Sequence, residues 1–225
     1  MNLKPVILLL ILVCCACASP LARIAPMENS AAETALAAKC RNLFPTGKWQ
    51  LLHAIEADAP DGRKAFLQGL MILEDEPPGI RCALMTLEGF VLFEAAVENG
   101  DLAVNRAVAP FDSPALAKGM MDDIRLIFFP PETTKREYGR LPDGEETCRH
   151  HLAAGGFLDL TMRENGDWVM KRYDDKGTIL RSVTATDLTD SFQKSAPWPG
   201  TLKLKAHGLF GYELTMHLVE ALPLE

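Results

Sequence analysis

The sequence predicts an α+β fold: an open, incomplete antiparallel β-barrel with helices covering its concave side. Three observations lead there. About eleven short runs of alternating or mixed apolar residues follow one another at hairpin spacing, separated by Gly, Asn, Asp and Pro signals. Only two substantial segments, one early and one central, read as helices. No long helix alternates with the strands, so a parallel βαβ arrangement is not expected.

Ser30-x-x-Glu33 has the form of a capping box and opens an Ala-rich helix through Asn42, which Pro45-Thr46-Gly47 ends. Gly47 to Asp58 alternates, with Trp49, Leu51, His53, Ile55 and Ala57 on one face, the pattern of a half-buried strand. Pro60-Asp61-Gly62 turns it into Lys64 to Leu73, where Gly69 suggests a bulge or bend. The stretch from Ile80 to Phe129 organises the rest: strand, turn at Leu87-Glu88-Gly89, strand, turn at Asn99-Gly100, strand, helix. Asn-Gly between apolar runs fits a type I′ turn, because both residues accept positive φ. Ser113-Pro114 supplies an N-cap acceptor and a proline at N1, and Pro130-Pro131 stops the helix. Leu116, Met120, Ile124 and Phe128 share one helical face; Lys118, Asp122 and Arg125 share another. Ile80, Cys82 and Leu84 alternate with Arg81, Ala83 and Met85, so this part of the sheet is apolar on both faces and expects a core and a cavity or lid.

Thr133 to Glu146 is polar and reads as a long surface connection. Strands resume at Thr147 to Ala153 and Gly156 to Arg163, then at Trp168 to Tyr173 and Thr178 to Leu188, with a turn at Asn165-Gly166 and another at Asp174 to Gly177. Two more alternating runs, around Leu202 to Ala206 and Tyr212 to Val219, complete the chain.

The chain of 225 residues allows one domain or a tight pair, and at 48% hydrophobic and 24% charged it has enough apolar residues for a real core. The formal charge is −7; Lys4 is the only charge in the first sixteen residues, so the remainder carries −8. An acidic chain with no basic cluster argues against nucleic acid as a partner. Lys4 precedes an apolar run from Val6 to Val13, followed by Cys14-Cys15-Ala16-Cys17. That run is too short to span a bilayer and has the form of an export signal. Its end resembles the bacterial lipoprotein signal, in which a small residue precedes a cysteine that becomes lipidated. Cys17, after Ala16, fits best; Cys15 with Leu12 ahead of it is the alternative, and an ordinary secretory signal cut near Ala18 is another. The division expected is residues 1–16 as signal, 17–29 as tether and 30–225 as domain. Cys40, Cys82 and Cys148 remain; an exported chain permits one bridge among them, and their spacing does not choose the pair.

This order of lipobox-like signal, tether, helix, meander, helical insertion and further hairpins resembles the LolA/LolB superfamily of lipoprotein carriers. It is most similar to a family of bacterial lipoproteins that shares the LolB-like fold. Leu87 to Phe93, the Asn99-Gly100 turn and the Ser113 to Ile127 helix carry the resemblance. It implies a half-barrel whose concave side holds acyl chains beneath helical lids, with a periplasmic carrier as a partner; the lipoprotein-like signal, with Ala18 after Cys17, implies an outer-membrane anchor facing the periplasm. It also implies a membrane-insertion role for a loop leucine, matched here by Leu87; the glutamate that follows it departs from the family pattern.

Acyl chains bind through apolar area, about 25 cal/mol per Å² buried. The residues expected to form the wall and lid are Trp49, Leu51, Ile55, Leu84, Phe90, Leu92, Phe93, Met120 and Ile124, with the thioethers of Met120 and Met121 able to repack around varied cargo. No cofactor or metal is expected. His150-His151 would point to opposite faces of a strand and read as surface residues. No nucleophile elbow, phosphate loop or zinc-helix motif occurs, so the expectation is a non-enzymatic lipid or acyl-chain binder. A non-catalytic assembly or scaffold lipoprotein, working through protein contacts, is the alternative.

Overall fold

The structure is a computed structural model, and it describes residues 21–59, 61–186, 198–208 and 211–225. The signal segment with Cys15 and Cys17, Pro60, and the expected strand end at Leu188 lie outside these residues. Thirteen strands and two helices follow one another among the described residues. They are β1 (Ala25–Pro26), α1 (Ser30–Arg41), β2 (Lys48–Asp58), β3 (Lys64–Glu74), β4 (Gly79–Thr86), β5 (Val91–Glu98), β6 (Asp101–Ala107) and α2 (Pro114–Phe128). Then come β7 (Thr133–Arg140), β8 (Glu146–Leu152), β9 (Phe157–Met162), β10 (Trp168–Tyr173), β11 (Ile179–Thr186), β12 (Thr201–Ala206) and β13 (Glu213–Leu224).

All thirteen strands join one antiparallel sheet, ordered β1-β7-β8-β9-β10-β11-β12-β13-β2-β3-β4-β5-β6. Its ends, β1 and β6, do not pair, so the barrel stays open. Its curvature can be deduced from α2. Met121 Sδ lies 3.4 Å from Cys82 Sγ on β4, while Asp123, two residues further on, bonds Arg181 on β11. Those strands are five places apart in the sheet, about 24 Å if it were flat. Only a sheet coiled around the helix lets both contacts form.

The central meander forms as the residues dictate. Asn99 (φ 54°) and Gly100 (φ 89°) both take the left-handed region that the β5–β6 turn requires. α2 begins at Pro114 behind Ser113, although the Ser113 side chain makes no capping bond. α1 starts one residue away from the expected cap: Asn29, not Ser30, is the N-cap, with its side-chain oxygen 2.9 Å from the Ala32 N–H. The polar segment from Thr133 to Arg140 is strand β7 and not a surface connection. It lies beside the two-residue β1 near the sheet edge, where Lys135, Arg136 and Glu137 can face water, so it never needed an apolar face. Gly69 marks no bulge, since β2 and β3 pair without a register shift along their whole length. It makes room instead: a Cβ there would sit 2.7 Å from Ile55 Cδ1.

The expected tether is docked from Leu21 onward. Arg149, in a buried bidentate pair with Asp159 at 2.7 Å, donates a further bond to the Ala22 carbonyl. Leu21 lies against Gly177, and Ala25 crosses so near Gly139 that a Cβ there would overlap its carbonyl oxygen. α1 is held by Leu36 and Cys40, both buried, and by a disulfide from Cys40 to Cys148 on β8; Cys82 is free and buried.

Candidate functional site: the concave face and its helical lid

The concave face is built by alternate residues of successive strands. Leu51, His53 and Ile55 on β2 continue across Leu67 and Met71 on β3, Cys82 and Leu84 on β4, and Phe93, Ala95 and Val97 on β5. Leu92 and Phe93 are neighbours, yet both pack against this core. A register shift between Leu84 and Met85 leaves Leu92 unpaired against β4, which lets it join its neighbour.

α2 lies over this face. Its buried apolar residues are Ala117, Met121, Ile127 and Phe128, with Met120 and Ile124 half-buried beside them. The inward face is thus turned by about one position from the one expected through Leu116, which is only half-buried. Phe111, in the connection ahead of the helix, approaches Phe93 with ring centroids 6.5 Å apart. At the other end Phe128 meets Trp198 and His53 at 5.8 and 6.4 Å. Trp198 meets Trp49 edge-on at 5.5 Å, and Trp49 donates its own ring N–H to the Thr46 carbonyl at 2.8 Å.

One buried polar group fastens the middle of the helix. Asp123 accepts from Arg181 Nε at 2.8 Å and from the Tyr212 hydroxyl, and Arg181 also lies over the Tyr212 ring at 5.8 Å. Burial pushes the Asp123 carboxyl above the usual carboxylate range, while Tyr212 and Arg181 oppose that shift. Sequence reading missed this group. The signal was a second acid, Asp123, inward of the solvent-facing Asp122 on an otherwise apolar side of the helix.

Of the residues expected to form the wall, Leu51, Leu84 and Phe93 are buried core in this closed arrangement. Trp49, Ile55, Leu92, Met120 and Ile124 are half-buried against that core. Phe90 does not belong to the wall. It lies in the β4–β5 turn, 58% exposed, next to Leu87, also 58% exposed, because Thr86 and Phe90 close the hairpin and leave both side chains outside it. Phe66, at the neighbouring end of β3, is 56% exposed. The ladder registers put the β2–β3, β4–β5 and β10–β11 turns on one end of the sheet. Leu21, against Gly177 of the β10–β11 turn, therefore emerges at the same end as Phe66, Leu87 and Phe90.

His150 is buried, not a surface residue, and burial holds its imidazole down at about 4. His151 instead pairs with Glu137 at 2.8 Å. The described residues contain no cluster of His, Cys, Asp or Glu able to hold a metal. On the opposite, convex face, Leu70, Ile72, Ala83 and Ala96 floor an open groove of about 790 Å³, edged by Arg81 and Glu94.

No family model and no curated protein matches this chain. Solved structures do. The crystal structure of a LolA superfamily protein from Nitrosomonas europaea is similar over 86% of this chain and 94% of its own, with TM-score 0.58 and 12% identity. A putative outer membrane lipoprotein-sorting protein domain from Vibrio parahaemolyticus is similar over 88% and 95%, with TM-score 0.48 and 10% identity. The likeness to the first of these spans most of both chains and is one of fold: with its described strands wrapped around a helix in a sheet that does not close, the chain adopts the LolA/LolB-like open-barrel fold.

Proposed function

We propose that this chain is a non-enzymatic envelope lipoprotein that takes a lipid or acyl chain onto its concave face beneath α2. In this reading Cys17 carries the lipid anchor in the outer membrane, and a periplasmic carrier delivers the cargo. The observation that carries it is the construction of the lid. α2 seals an apolar half-barrel with Ile124 and the adaptable thioethers of Met120 and Met121, and among the described residues Asp123 is its one buried carboxylate tie to the sheet. A helix held this way can lift and expose Leu51, Ile55, Leu84, Leu92 and Phe93 to a chain. The exposed Phe66, Leu87 and Phe90, on the end where the N-terminal segment emerges, suit contact with a bilayer.

A second reading is supported by the filled core and by the convex groove: a scaffold lipoprotein whose groove meets a protein partner. Native mass spectrometry separates the two. The chain from Ser19 onward, which retains every element described above, is purified from a periplasm without detergent. An added mass that leaves on denaturation and fragments as a lipid is the expected result. An apo mass together with no uptake of diphenylhexatriene rejects the carrier reading and leaves the scaffold.

A further inference from the structure

We propose that Trp198 and His53 form a polar recognition point for the carbonyl of an acyl ester or amide, at the place that Phe128 occupies in the closed molecule. This rests on the carrier reading and adds the chemical group that is recognised.

The observation is a pair of unpartnered polar atoms around one ring. Trp198 is 4% exposed and His53 is 2% exposed, and neither Trp198 Nε1 nor His53 Nδ1 has a hydrogen-bond partner among the described residues. Buried polar groups are paired in the great majority of cases, and an unpaired one destabilises the fold that contains it. These two side chains flank the same apolar ring, Phe128, at 5.8 and 6.4 Å between centroids. Trp49, the other indole of the cluster, has its N–H satisfied by Thr46, so the lack of a partner is particular to Trp198. His150, also buried without a partner, lies on β8 opposite Leu158 and takes no part in this cluster.

Phe128 is the last residue of α2, and Pro130 follows within two residues. Lifting the final turn of the helix withdraws the ring and uncovers both polar atoms together with the apolar wall around Leu51 and Ile55. The Trp198 N–H can then donate to a carbonyl oxygen. Burial holds the His53 imidazole neutral, so its free Nδ1 donates to a carbonyl or accepts from the N–H of an amide according to the tautomer. A plain hydrocarbon chain would fill the same wall and leave both groups unpartnered.

The test measures displacement of diphenylhexatriene from the chain beginning at Ser19 by dodecane, methyl laurate and lauramide, which share a chain length. The expected result is that the ester and the amide compete about five- to tenfold better than the hydrocarbon, the effect of one to two net hydrogen bonds. Trp198→Phe is expected to remove most of that preference. His53→Leu is expected to reduce the amide preference more than the ester preference, and it carries the test if Trp198→Phe does not fold. Equal competition by all three compounds in the wild-type chain would overturn the recognition point and leave the carrier reading intact. Failure of every compound, dodecane included, to bind would overturn both.

Discussion

His53 shows how a residue can be placed correctly by its pattern and still conceal its chemistry. Alternation with Trp49, Leu51 and Ile55 put it on the inward face, and it is there. Its lack of a partner and its position under Phe128 depend on contacts made across the sequence, which alternation does not encode. Burial holds both His53 and His150 down at about 4, against 6.5 in an unfolded chain. The unfolded state therefore binds protons first as the pH falls. Stability is at its full value above pH 6.5 and is lost between about 6.5 and 4, with a contribution on the order of 3 kcal/mol per histidine. Denaturant midpoints recorded from pH 8 to 4 should fall through that window, and His150→Leu should flatten the slope. The loop residues read differently. Leu87 is legible as a turn residue, whereas Phe90, the start of an apolar run to Phe93, reads as wall and is exposed. The hairpin closes between Thr86 and Phe90, so both point outward. Leu87→Asp with Phe90→Asp should change stability by less than about 0.5 kcal/mol and sharply reduce binding to phospholipid vesicles; unchanged vesicle binding would remove this turn from any membrane role.

At the scale of elements, α2 was legible because prolines punctuate it at both ends. Its inward face was less so: the period pointed to Leu116, while the coiled sheet receives Met121 and Asp123. β7 was not legible at all, since a charged strand near the sheet edge has no apolar face to betray it. The Asp123–Arg181–Tyr212 group gives α2 a definite release point. Asp123→Asn keeps the shape and removes the charge pairing, and should destabilise the protein by on the order of 2 kcal/mol, less than for a fully sealed pair because Arg181 keeps some contact with water. Hydrogen exchange in residues 117–128 should accelerate well beyond that in β2 and β3. Equal acceleration across the sheet would show that the group supports the whole fold and not the lid.

For the molecule as a whole, the open antiparallel class followed from the succession of hairpins, which are local. The pairing of β13 with β2 was not readable, because it joins the two ends of the domain and depends on matching ladders more than 150 residues apart. The Cys40–Cys148 disulfide is of the same kind: spacing left three possible pairs, and the fold selects the one that ties α1 to β8 across 108 residues. A closure that long constrains the unfolded chain strongly, so the Cys40→Ala, Cys148→Ala double variant should lose about 2–5 kcal/mol in denaturant melts. Cys82→Ala, which breaks no bridge, should lose less.

The docking of residues 21–26 sets the length of the leash. With the lipid on Cys17, only four peptide units separate it from Leu21, a span of at most about 14 Å. A domain on so short a lead cannot travel across the periplasm to collect its load. On the anchor proposed above, it would stay at the bilayer surface as a landing stage, with the Leu87 end of the sheet turned toward the lipid, and any cargo would have to be brought to it.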